Sequence, residues 1–199
     1  MGIGCWSFLW GLAEATVFFI IPDVLLSSIA IRCTKASLKA CVFALAGALV
    51  GGVCMFIWGQ QDVKSAHLLL EKIPAINAEM IDTVNEQIRE DGQLAFFMGP
   101  ILGRPYKIYA VNAGSQQLDP TAFLLVSVPA RMIRFVLLAF LSGMIARQLL
   151  KRFSEKQVIC MHLTFWSVIY SFYFYHFGLC TNSWQKVATD ASHLSICMW

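Results

Sequence analysis

Residues 3–31 read IGCWSFLWGLAEATVFFIIPDVLLSSIAI. The stretch is apolar almost throughout, yet it holds Glu14 and the pair Pro22-Asp23. A charged side chain at the centre of a bilayer costs about 3 kcal/mol on the insertion scale. An interior proline removes a helix hydrogen bond. Two short arms, 3–20 and 24–31, meeting near Pro22, satisfy both constraints as a hairpin that dips into a membrane and returns. The alternative is one kinked span through 3–31.

The whole chain supports a membrane reading. Of its 199 residues, 58% are apolar and 14% are charged, against about 45–50% and about 25% in soluble domains. Disorder and collagen-like order are excluded, and a soluble enzyme nearly so. The expected class is an all-α integral membrane protein. A net charge of +3 is too small to suggest nucleic acid. Seven cysteines without a CxxC pair read as small apolar residues, and neither a metal nor a cofactor is expected. The start of the chain lacks a basic region and a small-residue cleavage site, so it reads as mature sequence.

Outward from the first stretch, a basic loop covers 32–39. Residues 40–58 carry no charge; rising about 1.5 Å each, they span roughly 28 Å, enough for a bilayer core. Gly47 and Gly51 form a GxxxG that permits close helix approach, within the chain or between copies, so a homo-oligomer stays open. Region 60–92 is amphipathic: two short helices are expected, the second capped by Asn77. Its Met80, Val84 and Ile88 share one face, resting on protein or headgroups. Segment 93–119 has apolar pieces too short to span on either side of Arg104, which predicts a second hairpin. Span 120–146 carries Pro129, Arg131 and Arg134. A basic loop, 147–157, and an additional C-terminal span and tail, 158–199, follow.

Charge orients these segments. Region 60–92 has three bases and seven acids, whereas loops 32–39 and 147–156 have seven bases and one acid. The positive-inside rule places both basic loops in the cytoplasm. An even number of crossings must then separate them. Segments 40–58 and 120–146 cross, and 93–119 dips in from the outer side. Two hairpins entering from opposite faces resemble the broken, inverted segments that surround transporter sites.

Six charges lie where lipid should forbid them. Glu14 and Asp23 are candidate proton-carrying groups, or structural partners of bases on the opposite hairpin. Arg104 and Lys107 sit at the tip of the second hairpin, where unpaired backbone N–H groups and two cations favour an anionic phosphate headgroup. Their structural alternative is an ion pair with Glu14 or Asp23. Arg131 and Arg134, i and i+3, share a helix face; they line the same cavity or snorkel to an interface. Pro22, Gly103, Pro105 and Gly114 are the expected hairpin breakers. His162 and His176 are fourteen residues apart and share a face, more in keeping with packing than with a proton relay. The aromatic run Tyr170–Tyr175 reads as an interfacial belt. No GxSxG, HExxH or Walker pattern occurs, so no enzyme is expected.

Residues 8–26, FLWGLAEATVFFIIPDVLL, and 99–114, GPILGRPYKIYAVNAG, resemble the two hairpins of the DedA (VTT-domain, SNARE-associated Golgi protein) superfamily. The likeness is nearest to its small YqaA-like branch. It covers about residues 5–146, as one domain over 1–157. The second hairpin of that superfamily shows a Gly-Arg-x-x-Pro-x-x-Arg pattern. Here it is compressed to Gly-Arg-Pro-Tyr-Lys, so Lys107 stands in place of an arginine and cannot grip phosphate bidentately. The resemblance implies two facing re-entrant hairpins in a bacterial inner (plasma) membrane. It implies a transporter, flippase or scramblase of polyprenyl-phosphate or phospholipid carriers, with proton coupling as one form. The competing expectation is a non-transporting envelope-maintenance or assembly factor whose intramembrane charges are structural.

Overall fold

The computed structural model describes residues 2–18, 20–73, 76–101 and 103–175. Pro74, His176, Cys180, Cys197 and the tail 176–199 lie outside them. Among the described residues there are nine α-helices and no strand. They are α1 (Ile3–Thr16), α2 (Asp23–Arg32), α3 (Thr34–Gln61), α4 (Val63–Glu71), α5 (Ala78–Asp91), α6 (Ala95–Ile101), α7 (Tyr106–Ser115), α8 (Pro120–Leu149) and α9 (Glu155–Phe174). A short 3-10 turn, Gly92–Leu94, joins α5 to α6.

Local chemistry sets several of the helix starts. Asn77 accepts a hydrogen bond from the Met80 N–H at 2.8 Å and caps α5. Asp119 does the same for α8 through Ala122, with Pro120 in the first turn. Ser154 and Gln157 form a capping box on α9. Asp62 caps α4, and the two hydrogen bonds from Ser65 hold its carboxyl below the usual range.

By length and composition, α3 and α8 are the described helices able to cross a membrane. The described part of the expected C-terminal span, α9, is not among them, because its Tyr, Trp, Ser and His residues dilute its apolar character. Helices α3 and α8 lie antiparallel. Phe123 packs on Phe56 with ring centroids 5.0 Å apart. Further along, Phe135 and Ala139 join Ala40, Cys41 and Ala44, and Gly143 meets Thr34. The outward residues Val42, Phe43, Leu125, Ile133 and Leu137 are exposed and apolar, a surface that water does not favour.

The stretch 3–31 doubles back. Helix α1 runs parallel to α3 at very close range: a Cβ on Gly47 would lie 2.0 Å from the Phe8 carbonyl oxygen, and one on Gly51 2.8 Å from Ala15 Cβ. The GxxxG contact is therefore made within the chain. Helix α2 runs the other way along α3, and the Ser37 hydroxyl donates to the Leu26 carbonyl at 2.7 Å. The two arms of the stretch thus run in opposite directions along α3.

Helix α7 runs parallel to α3, with Tyr106 at Gly52 and Val111 at Gly59. The second short helix of each broken segment thus packs on the long helix of the other unit, α2 on α8 and α7 on α3. Gly114 is not a breaker, contrary to expectation. It lies inside α7, where a Cβ would sit 2.0 Å from the Phe56 carbonyl oxygen; its lack of a side chain allows close packing. The apolar face of α5 rests on protein: Met80, Val84 and Ile88 are buried with Ala110, Val111 and Ala113 of α7.

A side chain at Gly47 must push α1 off α3. Gly47→Val is expected to lower stability by at least about 1–3 kcal/mol, while Val50→Leu, on the exposed side of the same helix, leaves it unchanged. Thermal unfolding in detergent reads both.

Candidate functional site

Two interruptions carry the site, one between α1 and α2 and one between α6 and α7. Helix α1 ends at Thr16, and Pro22 stands at the start of α2. Gly103 takes φ +70°, and extended Pro105 precedes α7. Side chains from elsewhere satisfy part of the broken backbone. Trp10 Nε1 donates to the Ile20 carbonyl at 3.0 Å. The Ile21 N–H donates to the Tyr170 hydroxyl at 3.0 Å, and the Tyr173 hydroxyl donates to the Gly103 carbonyl at 3.2 Å. Irregular backbone in an apolar setting needs such partners.

Glu14 and Asp23 flank the first break and are 5% and 3% exposed. Each is paired with α8. Arg131 Nη2 donates to Glu14 Oε2, and Arg134 donates to Asp23 Oδ2, from Nε at 3.0 Å. The structural alternative read from the sequence had these acids paired with bases of the second hairpin, Arg104 and Lys107. The structure places the partners on α8 instead. Because α8 lies against α2, two arginines one turn apart reach both sides of the break. Helix α8 continues through Pro129.

Lys107, 1% exposed, binds the first break differently. Its Nζ donates to the Phe18 carbonyl at 2.8 Å, so α7 reaches the break through a backbone oxygen. The Arg131 guanidinium lies 4.3 Å from the centroid of the Tyr106 ring, a cation–π contact. The Tyr106 hydroxyl donates to Ser127 at 3.0 Å. Arg104 is anchored through its own N–H, which donates to the Gly99 carbonyl at 3.0 Å. Its Nη1 is buried without a hydrogen-bond partner, as are Asp23 Oδ1 and Arg131 Nε.

These groups surround a cavity of about 190 Å³. Glu14, Arg104, Lys107, Arg131 and Arg134 all line it. Counting Asp23 beside Arg134, four formal positive charges face two negative ones, an excess of two. In a poorly solvated space such an excess attracts anions more strongly than it would in water. Among the described residues, no group of three His, Cys, Asp or Glu is placed to hold a metal ion.

The remaining wall comes from α9, through Trp166, Ile169, Tyr170 and Tyr173. The sequence reading as an interfacial belt missed this. Phe172 and Tyr175 do face outward, 70% and 62% exposed, but Tyr170 and Tyr173 turn inward to the two breaks. The available signal was spacing: 166, 169, 170 and 173 share one helical face. His162 Nε2 lies 3.2 Å from the Ser27 hydroxyl, which also accepts from Trp166 Nε1 at 3.3 Å. This is a packing contact against α2.

Over the described residues, the fold and site define an all-helical protein with two helices able to cross a membrane and a cationic cavity between two broken segments. The chain matches no protein-family model, no curated protein and no solved structure.

Removing Arg131 alone leaves the Glu14 carboxylate buried without its partner, at a cost of about 3–5 kcal/mol. Glu14→Gln/Arg131→Gln is expected to be less destabilised than the sum of its single variants. A double-mutant cycle by chemical denaturation in detergent measures the difference.

Proposed function

We propose that the protein is a membrane-embedded transporter, flippase or scramblase of an anionic lipid carrier, a phospholipid or a polyprenyl phosphate. In this reading α3 and α8 cross the bilayer, and the two broken segments re-enter it from opposite faces, as in the DedA superfamily that residues 8–26 and 99–114 resemble. The observation that carries it is the cavity between the breaks, with two excess positive charges and an unpartnered Arg104 Nη1. A phosphate brings the missing negative charge and acceptor oxygens. The apolar tail stays in the bilayer. Glu14 and Asp23 release or hold the arginines as they gain or lose protons, which gives a means of proton coupling. The expected setting is a bacterial inner membrane.

The second reading is a non-transporting assembly factor. The completed pairs Glu14–Arg131 and Asp23–Arg134 favour it, since such pairs hold helices together without moving anything.

Reconstituted vesicles separate the two. Arg104→Ala is expected to reduce translocation of a fluorescent phosphate-headed lipid at least tenfold, with insertion and stability retained. Wild-type translocation by Arg104→Ala refutes the transport reading. Full function in cells of the charge-swapped Glu14→Arg/Arg131→Glu protein favours the assembly reading.

A further inference from the structure

We propose that α9 is a lateral gate, the wall of the cavity that opens to admit a lipid headgroup from the bilayer plane. The inference rests on the transport reading and adds the route of entry.

The walls of the cavity differ in how they are held. Helices α1 and α7 meet α3 at glycine contacts too close for any side chain. Helix α8 is tied by the buried ion pair Arg131–Glu14 and by Arg134, half-buried, on the buried Asp23. Helix α9 packs mainly on α2, and Val158 and Trp166 are the residues it buries. Its outer face, including Leu163, Phe165, Val168 and Phe172, is exposed and apolar, as suits acyl chains.

Among the contacts that hold α9 closed is a line of polar ones of graded position. Near the turn from α8, the exposed pair Arg32–Glu155 joins it to α2. Midway, His162 and Trp166 meet Ser27. At the far end, Tyr170 meets the first break at Ile21, and Tyr173 meets the second at Gly103. The far end alone touches both breaks. Swinging it outward about the turn at 150–154 uncovers Arg104 and Arg134 toward the surroundings, and it disturbs no glycine contact and neither of the two α8 ion pairs. The backbone groups it leaves, the Ile21 N–H and the Gly103 carbonyl, are what a phosphate and its hydroxylated neighbours can engage.

The test uses a reporter cysteine on the cavity wall, Ser127→Cys or, as a second choice, Ala130→Cys, with the native cysteines replaced. The protein is reconstituted in phosphatidylcholine vesicles that contain a phospholipid bearing a maleimide headgroup. Slow labelling is expected in the otherwise wild-type protein. Each lost neutral hydrogen bond raises the open population about fivefold, so Tyr170→Phe/Tyr173→Phe is expected to label more than tenfold faster. Val168→Leu, on the outward face, is expected to change nothing. An unchanged rate in the double variant overturns the gate. So does acceleration seen only with a water-soluble maleimide, which means opening to water. Labelling does not require translocation. Faster labelling in vesicles that move no lipid leaves the gate standing and removes the transport reading, while translocation with unchanged labelling removes the gate alone.

Discussion

Two carboxylates buried on either side of a helix break need counter-charges, and two arginines one turn apart on α8 supply them. This constraint organises the molecule. Glu14 and Asp23 can sit at the break because Arg131 and Arg134 reach them. The pairing fixes α8 against the first broken segment, and α8 carries the second broken segment's environment with it. Breaking one member of such a pair is more costly than never having it. The charges therefore determine the mutual position of the elements as well as their own.

The close approach of α1 and α7 to α3 is the complementary constraint. Ion pairs set which elements meet, and glycines set how near they come. With backbone against backbone at Gly47, Gly59 and Gly114, there is little freedom for sliding. The space left over is the cavity at the breaks, where helix hydrogen bonding stops and side chains take its place. Its surplus of positive charge arises because Arg104 and Lys107 enter a region whose two acids are already taken. Lys107 finds a carbonyl, and Arg104 keeps a buried nitrogen without a partner.

Helix α9 stands apart from this tight frame. It closes the cavity with aromatic rings and a few neutral hydrogen bonds, each worth about 1 kcal/mol. Elements held by such contacts open at lower cost than elements locked by buried ion pairs or interdigitated backbone.

Much of the architecture was legible along the chain. The uncharged run 40–58 and the apolar run 120–146 became α3 and α8, because apolar runs of about twenty residues have few other solutions. The caps at Asn77 and the interruptions near Pro22 and Gly103 are local chemistry and were readable as such. The six misplaced charges were recognisable by their apolar surroundings, and they do gather around one region. Their pairing was not readable: Arg131 and Arg134, rather than Arg104 and Lys107, meet the acids, since partner choice depends on which helix packs beside α2. Gly114 looked like a breaker, since a glycine in sequence does not say whether it frees the chain or lets another helix approach. Tyr170 and Tyr173 looked like a belt, because an aromatic helix face is the same string of residues whether it meets lipid or a cavity. Composition and pattern determined the elements and where each must break; the packing of those elements decided which charges cancel, which remain, and what closes over them, because those depend on distances between residues 70 to 149 positions apart.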